Sequence, residues 1–147
     1  MQRRDFLTGA VAVGAGVVFT SGKLLADEGK GEPPIRLKSK DSPSALEQGH
    51  VPLVDVPDKV KAGQWIDVNV KVGFMKEHPS TPEHWIRYVS LLADGKEIAK
   101  VERNVGGIVS ASATFKIKLD KSVKLEAIQN CNLHGTWISE AVKVEVS

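Results

Sequence analysis

Strict apolar–polar alternation restricts the fold of this chain more than any other feature. Trp65-Ile66-Asp67-Val68-Asn69-Val70-Lys71-Val72 opens on two apolar residues and then alternates without a break. Ala113-Thr114-Phe115-Lys116-Ile117-Lys118-Leu119 and Val142-Lys143-Val144-Glu145-Val146 repeat the pattern. A period of two sends one face to a core and the other to water, which a strand can do and a helix cannot. Asp94-Gly95, between Val89-Ser90-Leu91-Leu92 and Ile98-Ala99-Lys100-Val101, signals a hairpin. Asp120-Lys121 marks a second tight turn between strands. Runs of this kind recur at intervals of about 8–12 residues, and no stretch has convincing helical amphipathicity. The pattern predicts an all-β fold, an antiparallel sandwich of about seven strands.

The N-terminus follows other rules. Met1-Gln2-Arg3-Arg4-Asp5-Phe6-Leu7, then a Gly-, Ala- and Val-rich run closed by Lys23, resembles a twin-arginine export signal. The apolar run is too short to cross a hydrocarbon core of ~30 Å. The expectation is a signal peptide over residues 1–26, a flexible linker over 27–45, and the β-sandwich over 46–147. The linker assignment rests on Gly-Lys-Gly-Glu-Pro-Pro and Lys-Ser-Lys-Asp-Ser-Pro-Ser, which are too polar to offset their ordering entropy. Export implies a periplasmic protein with no stable membrane insertion after cleavage. The net charge of +2 is too small to argue for nucleic acid. Because residues 1–26 hold Arg3, Arg4 and Lys23 against Asp5 alone, the remainder is formally neutral.

The chemistry-bearing residues are few: four histidines and one cysteine in 147 residues. A single cysteine excludes an intramolecular disulfide, a four-cysteine metal site and a CxxC redox pair. In an oxidising compartment it is well buried or held by a metal. All five residues fall in loops or at strand ends. His50 precedes Val51-Pro52. His78 and His84 flank Pro79-Ser80-Thr81-Pro82-Glu83, where Pro79 forbids a continuous helix, so a loop must carry both imidazoles. Cys131 and His134 are separated by two residues, a spacing that lets one tight turn aim both at one ion. Read singly, each of these is as consistent with solvated loop histidines, a structural thiol or a Cys/His hydrolase. Taken together, four imidazoles and a thiolate are too many for tetrahedral zinc and suit a square-pyramidal iron.

At this point the residues carry a resemblance. His50-Val51-Pro52, His78-Pro79-Ser80-Thr81-Pro82-Glu83-His84-Trp85-Ile86 and Cys131-Asn132-Leu133-His134-Gly135-Thr136-Trp137 resemble the three ligand motifs of superoxide reductase. The likeness is to the one-iron, neelaredoxin-like form and to the iron-binding domain of desulfoferrodoxin, over about residues 46–147. It implies an immunoglobulin-like sandwich with a ferrous centre exposed at one end. His50, His78, His84 and His134 would be equatorial ligands and Cys131 the axial thiolate, its charge softened by the backbone N–H groups of Leu133 and His134. Superoxide would be reduced to hydrogen peroxide with an electron from an external one-electron donor protein, and homo-oligomers occur in the family. The family's usual Glu-Lys before the first histidine is Gln48-Gly49 here. Glu47 and Lys76 are the candidates to replace them. The rival readings are an iron-binding or electron-transfer module without efficient superoxide reduction, and a carrier domain using Cys131 as a free thiol. Superoxide consumption and alkylation of the thiol separate them.

Tryptophans 65, 85 and 137 are expected in the core or the site wall.

Overall fold

A computed structural model describes residues 31–147, so the expected signal lies outside the described residues. Among these, a short helix α1 (Ala45–His50) precedes nine strands. They are β1 (Pro52–Asp55), β2 (Lys59–Val60), β3 (Trp65–Val72), β4 (Ile86–Ala93), β5 (Lys96–Glu102), β6 (Ala113–Lys118), β7 (Val123–Cys131), β8 (Gly135–Ile138) and β9 (Val142–Val146). One sheet has the order β1-β3-β6; the other has the order β2-β9-β7-β4-β5, with β8 also paired to β7. The strands exceed the expected seven because β2 and β8 are too short for alternation to show. All strand pairs are antiparallel except β2–β9, which is parallel.

The alternation works as read. In β3 it turns Ile66, Val68, Val70 and Val72 inward, where they join Val89, Leu91, Leu125, Ala127 and Val144 of the larger sheet in one core. The same register puts Trp65 outside. It is 59% exposed, with the Lys118 ammonium 5.2 Å from its ring centroid, and is no part of the core or the site wall. Asp94 and Gly95 both have positive φ, 48° and 80°, as the tight β4–β5 hairpin turn requires. The chain does turn after β6, but β6 and β7 lie in different sheets, so Asp120-Lys121 crosses the sandwich instead of closing a hairpin.

Part of the segment expected to be a flexible linker is docked. The Ile35 N–H donates to the Thr136 carbonyl (2.8 Å) and the Ile35 carbonyl accepts from the Ile138 N–H (3.0 Å), which adds a parallel bridge beside β8. Arg36 binds Glu126 at 3.1 Å and the Ser139 carbonyl at 3.3 Å. Backbone groups make the Ile35 bridge, and polar composition does not forbid that. No helix among the described residues is long and apolar enough to cross a membrane.

Strand register decides where the loops gather. Pro52 pairs with Val72, and Ile86 pairs with Cys131. The starts of β1, β4 and β8 and the ends of β3 and β7 therefore share one end of the sandwich. Beside it, the β4–β7 register shifts between Ile86 and Tyr88, leaving Arg87 as an extra residue, the local kink of a bulge.

Candidate metal centre

Each chemistry-bearing residue sits at that end. His50 is the last residue of α1, Cys131 is the last of β7, and His134 occupies the turn into β8. His84 lies two residues before Ile86, the strand partner of Cys131, and this pairing carries its imidazole to the sulfur. His78 lies in the loop between β3 and β4.

The four imidazoles form a square. Neighbouring ring centroids are 4.7 Å apart for His50–His78, 4.6 Å for His78–His84, 5.0 Å for His84–His134 and 4.7 Å for His134–His50. The His50–His84 diagonal is 6.0 Å. Cys131 Sγ is 3.1 Å from His84 Nε2 and 3.6 Å from His134 Nδ1. Donor atoms of His50, His84, Cys131 and His134 all lie within 4.8 Å of one another.

The nitrogens are already sorted. His50 Nδ1 is 2.7 Å from the Leu46 carbonyl, and His78 Nδ1 is 2.7 Å from the Pro79 carbonyl. A carbonyl only accepts, so each Nδ1 carries the proton and each Nε2 keeps its lone pair. Both Nε2 atoms are buried without a hydrogen-bond partner. Two orphaned lone pairs in a protein interior are costly, and a shared cation answers both. The donor set is imidazole and thiolate, which iron accepts.

Electrostatics favour neutral, metal-ready rings. Burial lowers the His78 imidazole to about 4, and the neighbouring histidines push the same way against the Pro79 carbonyl. Burial also lowers His50 and His84. These shifts have a signed consequence for the metal-free protein. Unfolded imidazoles take up protons near pH 6.5 that the folded rings refuse, so their contribution to stability is complete above that pH. It should be lost as pH falls from about 6.5 toward about 4. Urea unfolding of metal-free protein across that range checks this, and stability that holds steady or rises on acidification would contradict it.

Burial is graded around the square. His50, His78 and Cys131 are buried, His84 is half-buried, and His134 and the adjacent Leu133 are exposed. The centre thus opens on the His134 side. Trp137 forms a wall, with its ring 5.3 Å from His50 and its Nε1–H donating to the His134 carbonyl at 3.1 Å. Among the described residues, the expected amide donors of Leu133 and His134 make no hydrogen bond to sulfur. Among the described residues Sγ is approached by imidazole nitrogens instead.

The Glu47 carboxylate is engaged by backbone amides. It accepts from the Lys38 N–H (2.9 Å) and the Ser44 N–H (2.7 Å), as half of a capping box at the start of α1. Lys76 is exposed, and its backbone N–H donates to the Gln48 carbonyl at 3.1 Å, beside the His50 turn.

Three residues missed in the sequence hold the ligand loops. Asn132 accepts from the Trp85 N–H (2.9 Å) and donates to the Glu83 carbonyl (2.8 Å), clamping the Cys131 turn to the His84 loop. Gln129 donates to the His50 carbonyl at 2.8 Å. Gly73 has φ of +71°, and a Cβ there would meet the Gly49 carbonyl at 2.7 Å, the His78 N–H nitrogen at 2.8 Å and, closer still, the Lys76 carbonyl. Only the positive φ that such a junction demands could have hinted at Gly73.

Comparison with known proteins agrees with this geometry. A family model described as Desulfoferrodoxin matches residues 42–140. The Desulfoferrodoxin of Nitratidesulfovibrio vulgaris is 37% identical over 108 residues, covering 74% of this chain and 75% of that protein. The superoxide reductase of Pyrococcus furiosus is 32% identical over 108 residues, covering 62% of this chain and 85% of that protein. Among solved structures, superoxide reductase (neelaredoxin) from Ignicoccus hospitalis superposes with a TM-score of 0.61 at 34% identity, over 71% of this chain and 88% of that one.

Proposed function

Because the chain belongs to the desulfoferrodoxin family, we propose that it is a superoxide reductase, with a mononuclear iron held by His50, His78, His84, Cys131 and His134. One observation carries this reading: a square of imidazoles beside one buried sulfur, with two partnerless Nε2 atoms. When bound, iron supplies the ferrous–ferric couple that gives superoxide its single electron, and the thiolate donates electron density to the metal.

The chain's own residues do the rest. The Leu46 and Pro79 carbonyls hold the His50 and His78 tautomers that present Nε2. Burial keeps these rings unprotonated near neutral pH. Trp137 screens His50 from water, while the exposed His134 side leaves a path for a small anion. The exposed Lys76 is the cation we assign to drawing that anion toward the His50 turn. Superoxide, one electron and two protons give hydrogen peroxide, so turnover needs an external one-electron donor. Export by the Arg3-Arg4 segment and work in the periplasm complete the proposal.

Metal analysis with superoxide consumption under a supplied reductant tests it. One iron per chain and consumption well above that of free ferrous ion are expected. Stoichiometric zinc from iron-replete cells, or consumption no faster than free ferrous ion, would overturn it.

A further inference from the structure

Glu47 is a buried residue, 6% exposed, whose carboxylate takes no part in the donor cluster. Burying such a charge is costly unless its oxygens are hydrogen-bonded. Here each oxygen has a backbone amide, from Lys38 and from Ser44, and these bonds hold the carboxyl below its ordinary range. The Lys38 amide belongs to the docked strap over residues 35–44, whereas Ser44 is the N-cap of α1, so its bond closes the capping box at the helix start. Through Lys38, Glu47 ties strap to helix at the strap's middle, while the Gln48 side chain donates to the Pro43 carbonyl at 3.0 Å nearer the helix start.

That helix cannot hold its own position. It has six residues, includes Gly49, and is far below the length at which an isolated helix persists in water. Yet its last residue is His50, whose ring is oriented by a carbonyl of the same helix, Leu46. The strap's other end grips β8, through Ile35 to Thr136 and Ile138. β8 begins one residue after His134. The strap thus links the segment carrying His50 to the segment carrying His134, whose rings form one 4.7 Å edge of the square.

We infer that Glu47 is a positioning residue, which braces the His50–His134 edge of the metal centre by fastening the 35–44 strap to α1. The inference rests on the metal-centre reading above. A carboxylate is needed because both partners are N–H donors. An amide at position 47 would accept from one and turn its NH2 against the other, leaving a part-buried donor unpaired.

The test is Co(II) titration of the metal-free full-length chain, followed by the cobalt–thiolate absorption. The wild type is compared with Glu47→Gln, with Ile35→Pro, which removes the strap's amide donor to Thr136, and with Val144→Ala. Val144 is a fully buried core residue paired with Val123, at the opposite end of β7 from Cys131. Val144→Ala reports general destabilisation through its Tm. Glu47→Gln is expected to weaken Co(II) binding roughly 10- to 100-fold, the usual scale for groups that orient ligands, and to alter the cobalt spectrum. Val144→Ala is expected to bind as the wild type at a comparable fall in Tm. Ile35→Pro should also weaken binding, and the double variant should lose less than the product of the two single effects, because both break one brace. Should Glu47→Gln fail to fold, Ile35→Pro against Val144→Ala decides alone. Affinities of Glu47→Gln and Ile35→Pro within about twofold of Val144→Ala would overturn the inference. A wild type that binds no Co(II) would overturn the metal-centre reading itself.

Discussion

Replacing Gly73 by alanine is expected to empty the metal centre while leaving the sandwich folded. Two costs coincide at this residue. Its φ of +71° is strained for any residue with a Cβ, by about 1–2 kcal/mol. The added methyl would also collide with three backbone atoms belonging to Gly49, Lys76 and His78. None of these is the yielding end of a side chain, so the chain itself must move. Gly49 immediately precedes His50, so the movement separates the His50 and His78 segments, whose rings now lie 4.7 Å apart. Iron content after purification should fall by at least roughly tenfold. Far-ultraviolet circular dichroism should stay close to wild type, because Gly73 lies just past the end of β3. Wild-type iron content in Gly73→Ala would show that the junction does not set the ligand spacing.

Cys131→Ser is expected to abolish the visible absorption of the oxidised protein completely. Serine nearly matches cysteine in shape, and the site is 1% exposed, so packing changes little. The chemistry changes more. A serine hydroxyl stays protonated near neutral pH and is a hard, weak ligand, whereas a thiolate is soft and gives charge to the metal. The thiolate-to-iron band should vanish, and residual iron should be held only by imidazoles. Visible spectroscopy with metal analysis checks this, and persistence of the band would remove Cys131 from the ligand set.

The reach of sequence reasoning differs from residue to residue. β3 was legible because its inward positions follow a strict period, and the Asp94-Gly95 hairpin because its turn needs residues that tolerate positive φ. The five chemistry-bearing residues stood out because no others in the chain have those side chains, and the structure gathers their rings and sulfur at one end. Helix α1 was not legible by periodicity, since six residues offer less than two turns. Its sign was local: Ser44-x-x-Glu47 is a capping box, and reading it would have assigned Glu47 to the helix start. Composition marked residues 27–45 as free chain because it counts apolar side chains. It is blind to backbone groups, and backbone groups dock Ile35. Asn132 and Gln129 leave no pattern, because their partners are carbonyls and amides remote in sequence.

The bridge between Ile35 and β8 has one more consequence. Strand β8 pairs with β7 on one side, and an unguarded second side would offer a template for another chain to extend the sheet. Ile35 occupies that side with its own N–H and C=O. At that bridge the strap caps the free side of β8 against strand addition, next to the turn that carries His134.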